Sequence, residues 1–226
     1  MIKSLIFGTT IVVISDTTEI TIVADSKIHD HNKTKIEPLC KVYQFGDIIF
    51  CHAGIMNGNN FSIAQIVKET FTSSSGTLEK ILELIQDITK ETVLPVFQKI
   101  FMEDRKNFDL HLKNKPIIQM AFSFWYKSNP HFFLMIFEPV LNGGTVEINV
   151  HRDSVSEPSD FYLGHFDNIN EYIQRNPSYK KDRDTIAIAK ELIGLEIKAM
   201  PDKVGEPLTV VKISGNGIEW VEAGAC

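Results

Sequence analysis

"GTTIVVISDTTEITIVADSK", residues 8–27, decides how this chain folds. Ile, Val and Thr dominate both of its arms, and β-branched side chains suit a pleated strand better than a helix. The tract "SDTTE" between the arms is rich in turn formers, so the stretch predicts a hairpin with strands over 3–14 and 18–24. Thr9 then lies inside the first strand, directly after a glycine. It is either an ordinary strand residue or a hydroxyl held at a special point of the fold.

Beyond a polar loop, "PLCKVYQF" (38–45) and "DIIFCHAG" (47–54) predict a second strand pair joined at Gly46-Asp47. The period then turns helical. In "NNFSIAQIVKETF", Phe61, Ile63, Ile66, Val67 and Phe71 share a face, with Asn59 or Asn60 as N-cap. "SSSG" ends this helix. A longer one runs from about Thr77 to Met102 on a stripe of Leu78, Ile81, Leu82, Leu84, Ile85 and Ile88, with a kink expected at Pro95. "PIIQMAFSFWYK", "HFFLMIFEP" and "TVEINVHR" predict a three-stranded meander, with "HFFLMIF" as its buried central strand. Helices over about 166–175 and 183–200 follow, and "PLTVVKIS" and "GIEWVEA" close the chain around Gly215-Asn216-Gly217.

Runs of strands that alternate with runs of helices indicate an α+β fold. Two helices can cover each of two stacked antiparallel sheets. At 226 residues, 43% hydrophobic and 23% charged, the chain can bury one sizeable core, so a single domain over 1–226 is expected. With 23 Lys+Arg against 29 Asp+Glu and no basic block, nucleic acid is not an expected partner. No apolar run reaches the roughly 20 residues that span a bilayer, so no membrane partner is expected either. "MIKSLIFGTTIVVIS" is β-branched and lacks a small-x-small site before Asp16, which argues against a secretory leader.

Cys40, Cys51 and Cys226 are odd in number and show no CxxC spacing. They suggest neither a disulfide framework nor a zinc site, and a cytoplasmic location fits them. Cys40 and Cys51 are expected in the core. Cys51 and His52 should point to opposite faces of their strand, so they form no catalytic couple. "HDHN", residues 29–32, reads as a solvated loop rather than a metal site, and no metal or cofactor is called for.

Thr9, Asp25 and Lys41 form the constellation with chemical potential. A threonine hydroxyl needs a nearby base and an electrostatic partner to act near neutral pH. Cleavage after Gly8 would free the Thr9 α-amine, whose ordinary pKa is about 7.7 to 8.0, as that base. A lysine cation beside the amine would lower its pKa, and a carboxylate would keep the lysine charged and oriented.

Gly8-Thr9, "ADSK" (24–27), Lys41 and Ala53-Gly54 together resemble the N-terminal half of the proteasome β-subunit family and its bacterial relatives among the N-terminal-nucleophile hydrolases. The resemblance is clearest over about residues 5–75, and the element order continues it. It implies a four-layer αββα sandwich with residues 1–8 as a propeptide. It further implies Thr9 as nucleophile with its own α-amine as base, Lys41 lowering the pKa of that amine, Asp25 holding Lys41, and the Gly54 amide donating to the oxyanion. His52 would line the pocket for the residue before the cleaved bond. Peptide or protein substrates, a homo-oligomeric ring and a separate ATPase are the partners it implies.

Two positions depart from the family pattern. His165 in "FYLGHFDNI" stands where a Gly-Ser-Gly serine is expected, and Gly205 in "MPDKVGEPLTVV" where a second supporting serine is expected. They support an alternative reading, a non-catalytic subunit serving assembly or binding in which Thr9 is a strand residue and Asp25–Lys41 a structural ion pair.

Overall fold

The structure, a computed structural model, describes residues 9–27, 39–55, 57–58 and 61–226. The predicted hairpin is present as β1 (Thr10–Ser15) and β2 (Glu19–Asp25). The strand begins one residue after Thr9, and the part of the first predicted strand before Thr9 lies outside the described residues. The second pair is β3 (Val42–Phe45) and β4 (Ile48–Gly54). Two short strands, β5 (Asn57–Gly58) and β6 (Phe61–Ser62), lead into α1 (Ile63–Ser73).

The N-cap of α1 is Ser62, whose hydroxyl accepts from Gln65 N. Asn59 and Asn60, expected as the cap, lie outside the described residues; the helix starts later because Phe61 is held extended against Gly58 in the small β5–β6 pair. α2 (Leu78–Glu103) is capped by Thr77 and continues through Pro95. It buries Leu82, Ile85, Thr89, Val93, Phe97 and Ile100, whereas Leu84, assigned to the stripe from sequence, is exposed. α3 (Arg105–Asn107) and a π-helical turn (Phe108–Leu112) follow, the turn anchored by buried Phe108 and Leu112.

The meander is β7 (Ile118–Tyr126), β8 (Asn129–Asn142) and β9 (Thr145–Val155). Next come β10 (Asp160–Gly164), α4 (Asp167–Arg175), α5 (Thr185–Ala199), β11 (Leu208–Ser214) and β12 (Gly217–Glu222). β10 has no counterpart in the sequence reading. It is a strand through its pairing with β1, which local composition does not report.

Two five-stranded antiparallel sheets result, ordered β10-β1-β2-β11-β12 and β3-β4-β7-β8-β9. β7 is the centre of its sheet, and "HFFLMIF" belongs to the interior strand beside it. Strand alternation sorts the side chains into layers. Ile11, Val13, Ile22 and Ala24 of one sheet meet Ile49, Cys51, Ala53 and Ala121 of the other in a shared apolar layer. Phe50, Met120 and Phe122 face α1 and α2, while Val12, Val23 and Val210 face α4 and α5. Helices thus cover the outer faces of two sheets stacked on each other. Among the described residues no helix is long and apolar enough to cross a membrane.

Cys40 and Cys226, 186 positions apart in sequence, are joined by a disulfide with Cα atoms 4.7 Å apart. This corrects the expectation of unpaired thiols and of Cys40 as a plain core residue. The pairing arises because β11 lies beside β2 and brings the chain's end back to the segment before β3, a proximity that spacing does not encode. Cys51 is free and fully buried, and burial pushes its thiol pKa up to about 12. It packs between the sheets while His52 stacks on Phe50 and Tyr43, so the two do face opposite ways.

Candidate functional site

Strand ends of both sheets converge at one end of the sandwich. In the first sheet Thr10 pairs with Gly164, and Asp25 with Leu208, so β1 starts where β2 and β10 finish. In the second sheet Gly54, at the end of β4, pairs with Ile118 at the start of β7. Thr9 and Thr10 are both buried there.

Asp25 organises this end. Its Oδ1 accepts from Thr10 N at 2.8 Å and from Lys41 Nζ at 2.8 Å, and its Oδ2 accepts from Lys27 N at 3.2 Å and Gly205 N at 3.3 Å. A buried carboxylate is tolerated only when it is paired and its lone pairs are occupied, and here both conditions hold. Lys41 Nζ also donates to Lys27 O at 2.6 Å. Burial pulls the Lys41 ammonium below the ordinary lysine value, and the charge and hydrogen bond of Asp25 oppose that pull. The cation is held by a partner rather than by water.

Thr9 directly precedes Thr10, whose amide Asp25 holds. The Thr9 carbonyl accepts from His165 N at 2.9 Å, and the Thr10 hydroxyl donates to His165 O at 2.7 Å. The contact needs a glycine at 164: its φ is +85°, and a Cβ there would lie 1.9 Å from Thr9 O. That same Cβ position is 3.3 Å from Ala53 Cβ, which puts Ala53-Gly54 of the second sheet against the Thr9 corner of the first. Gly54, with φ +92°, is equally constrained, since a Cβ would meet Ile117 O at 2.2 Å.

The structure therefore gathers Thr9, Asp25, Lys41 and Gly54 at one end. His52 lies one layer away, on the helix-facing side of β4, stacked on Phe50 at 5.2 Å and Tyr43 at 5.9 Å. It is 1% exposed, and neither ring nitrogen has a partner among the described residues. Burial, with the nearby Lys41 charge, pushes its pKa down to about 3, so the ring is neutral. His29 and His31 lie outside the described residues.

At the departures, His165 and Gly205 do approach the site. Gly205 contributes its N–H to Asp25 and its carbonyl to Ser26 N at 3.2 Å, with no hydroxyl to add. The His165 imidazole is half-buried, and burial and Lys203 pull its pKa below the ordinary value against Glu196, Asp167 and Asp25.

Sequence reasoning missed two neighbours. Glu196 is fully buried on α5 and accepts from Asn168 N, Ile169 N and Asn168 Nδ2 at 2.8 to 3.0 Å, tying the start of α4 in place just after His165. A glutamate on the otherwise apolar face of α5 was its signal. Gln119 accepts from Gly164 N at 3.1 Å, and its signal was a lone polar residue opening an apolar strand. No protein-family model matches the chain, and no curated protein matches its sequence.

Proposed function

We propose that this protein is a proteasome-like N-terminal-nucleophile hydrolase with the four-layer αββα fold, cleaving peptide or other amide bonds through Thr9. The observation that carries this reading is the buried Asp25 carboxylate, which grips both the Thr10 N–H and the Lys41 ammonium immediately beside Thr9. A buried ion pair is weak evidence for stability, because its desolvation offsets much of its attraction. Next to a candidate nucleophile it has a chemical use.

In this mechanism the Thr9 hydroxyl adds to the Gly8 carbonyl carbon, the acyl group passes from nitrogen to oxygen, and water hydrolyses the ester. Residues 1–8 leave and the α-amine is freed. In turnover that amine accepts the hydroxyl proton as Oγ attacks a substrate carbonyl. The Lys41 charge disfavours a second cation and lowers the pKa of the amine, while Asp25 fixes Lys41. The Gly54 N–H donates to the oxyanion, an interaction worth roughly 10² to 10³ in rate at comparable sites. The amine then protonates the leaving group, and water hydrolyses the acyl-enzyme ester, releasing the acid and restoring the Thr9 hydroxyl. His52, buried on the helix-facing side of β4 and stacked on Phe50 and Tyr43, has no open surface with which to line the substrate pocket that the resemblance implies. A ring of identical subunits, and a separate ATPase that feeds it, rest on the sequence resemblance alone. The cytoplasmic location loses the support of unpaired cysteines, because Cys40 and Cys226 pair.

The second reading, a non-catalytic subunit, is favoured by His165 and Gly205, which bring no hydroxyl to the site. Intact mass of the purified protein separates the two. A chain beginning at Thr9, labelled by an electrophile that condenses with both the hydroxyl and the amine of an N-terminal threonine, supports the hydrolase. A chain that keeps residues 1–8 and resists the label, as a Thr9→Ala variant must, supports assembly or binding.

A further inference from the structure

We infer that Gln119 is a positioning residue that sets the distance between the nucleophile strand and the strand carrying the oxyanion donor; this inference rests on the reading of Thr9 as nucleophile. The two come from different sheets. Thr9 enters β1 of one, whereas Gly54 ends β4 of the other, and most of what lies between the sheets is apolar. Apolar contacts fix a separation only loosely, because they carry no direction. Among the described residues, hydrogen bonds cross the gap at the Thr9 end in two places. One is the segment after β2, where Lys41 Nζ reaches Asp25 and Lys27 O and Leu39 N reaches Ser26 O. The other is Gly164 N to Gln119 Oε1.

The second tie acts on both partners of the reaction at once. Gln119 pairs across the ladder with Ala53, the residue before the oxyanion donor. Gly164 pairs with Thr10, and the next residue's amide holds the Thr9 carbonyl. A single side chain therefore spans from the backbone beside Gly54 to the backbone beside Thr9. Gln119 is 8% exposed, so water does not readily replace it as the acceptor for Gly164 N. β10 is an edge strand and Gly164 is its last residue, turned to φ +85°, so this amide depends on a side-chain acceptor. Because the oxyanion donor and the nucleophile must meet one carbonyl group, a shift of about 1 Å between them costs on the order of 10²-fold in rate.

The test compares Gln119→Met, which keeps length and volume but has no comparable acceptor, with Gln119→Glu, which keeps the acceptor. Each full-length variant is assayed for loss of residues 1–8, for kcat and KM on a panel of N-blocked peptide aminocoumarins, and for exchange of the Gly164 amide by NMR. The expected result is faster Gly164 exchange in Q119M, with kcat lower by about ten- to a hundredfold and KM within about threefold, and recovery of both readouts in Q119E. A purely structural role would lower the melting temperature without splitting kcat from KM. If Q119M does not fold, Gln119→Asn, which keeps the amide but shortens its reach, must show the same split. An active wild type with an equally active Q119M overturns the positioning role and leaves Thr9 as nucleophile. A wild type that keeps residues 1–8 and hydrolyses nothing overturns the hydrolase reading first, and the positioning role with it.

Discussion

Asp25 Oδ1 and Lys41 Nζ lie 2.8 Å apart with both side chains fully buried, and they join the end of β2 to the segment entering β3 across the gap between the two sheets. Removing one partner leaves the other buried without its counter-charge. Asp25→Ala or Lys41→Met is expected to cost about 3–5 kcal/mol each, whereas the double variant costs clearly less than their sum. Urea unfolding of the four proteins closes the cycle. Additive losses would show that the two groups do not act as a pair.

Gly164 illustrates a position where a side chain has no room. Gly164→Ala combines a positive φ with a Cβ 1.9 Å from Thr9 O, so the backbone of β10 must move. Gly143, with φ +57° and open space around it, isolates the conformational part of the cost. Gly143→Ala is expected to lose about 1–2 kcal/mol, and Gly164→Ala more than that, measured by thermal unfolding. If Thr9 is a nucleophile, G164A also slows release of residues 1–8.

The Cys40–Cys226 bond closes nearly the whole chain into a loop. Cys226→Ser is expected to lower stability by about 2–4 kcal/mol under oxidising conditions and to have no effect once a reductant is present. In the native oxidised protein no cysteine should react with an alkylating reagent, since Cys51 is buried and its thiol pKa is raised to about 12. Unfolding should expose one reactive thiol. Labelling of the native protein at Cys40 or Cys226 would show that the bond is open.

His52 gives the fold an acid sensitivity of predictable sign. Its folded pKa is about 3 against an ordinary 6.5, so the unfolded chain binds the proton first as pH falls. Its effect is absent above 6.5, and stability then declines by up to about 1.4 kcal/mol per pH unit until the folded ring protonates near 3. His52→Phe should flatten this part of the stability profile, measured by denaturant midpoints across that window. An unchanged slope would mean that the ring titrates normally in the folded protein.

Much of the architecture was legible because it depends on local pattern. β-Branched alternation marked β1, β2, β4 and β11, and the helical period with the Thr77 cap marked α2. Thr9, Asp25 and Lys41 were also singled out by residue type and place along the strands, and Gly54 by the resemblance to the proteasome β-subunit family. Residues whose importance is a matter of contact were not legible. β10 is short and is a strand only because it pairs with β1, and Ser62 caps α1 because the β5–β6 pair holds the preceding residue extended.

By itself, then, the sequence determined the longer strands and the four longer helices, that their apolar faces suffice for two covered sheets, and that Thr9, Asp25 and Lys41 are polar residues on or beside those strands. Only the tertiary structure decided that these ends belong to one corner, that Cys226 returns to Cys40, and that Gln119 reaches Gly164. The reason is physical: side-chain pattern is set by period along a chain, whereas juxtaposition across a gap between sheets is set by strand order and register, which no local stretch of residues contains.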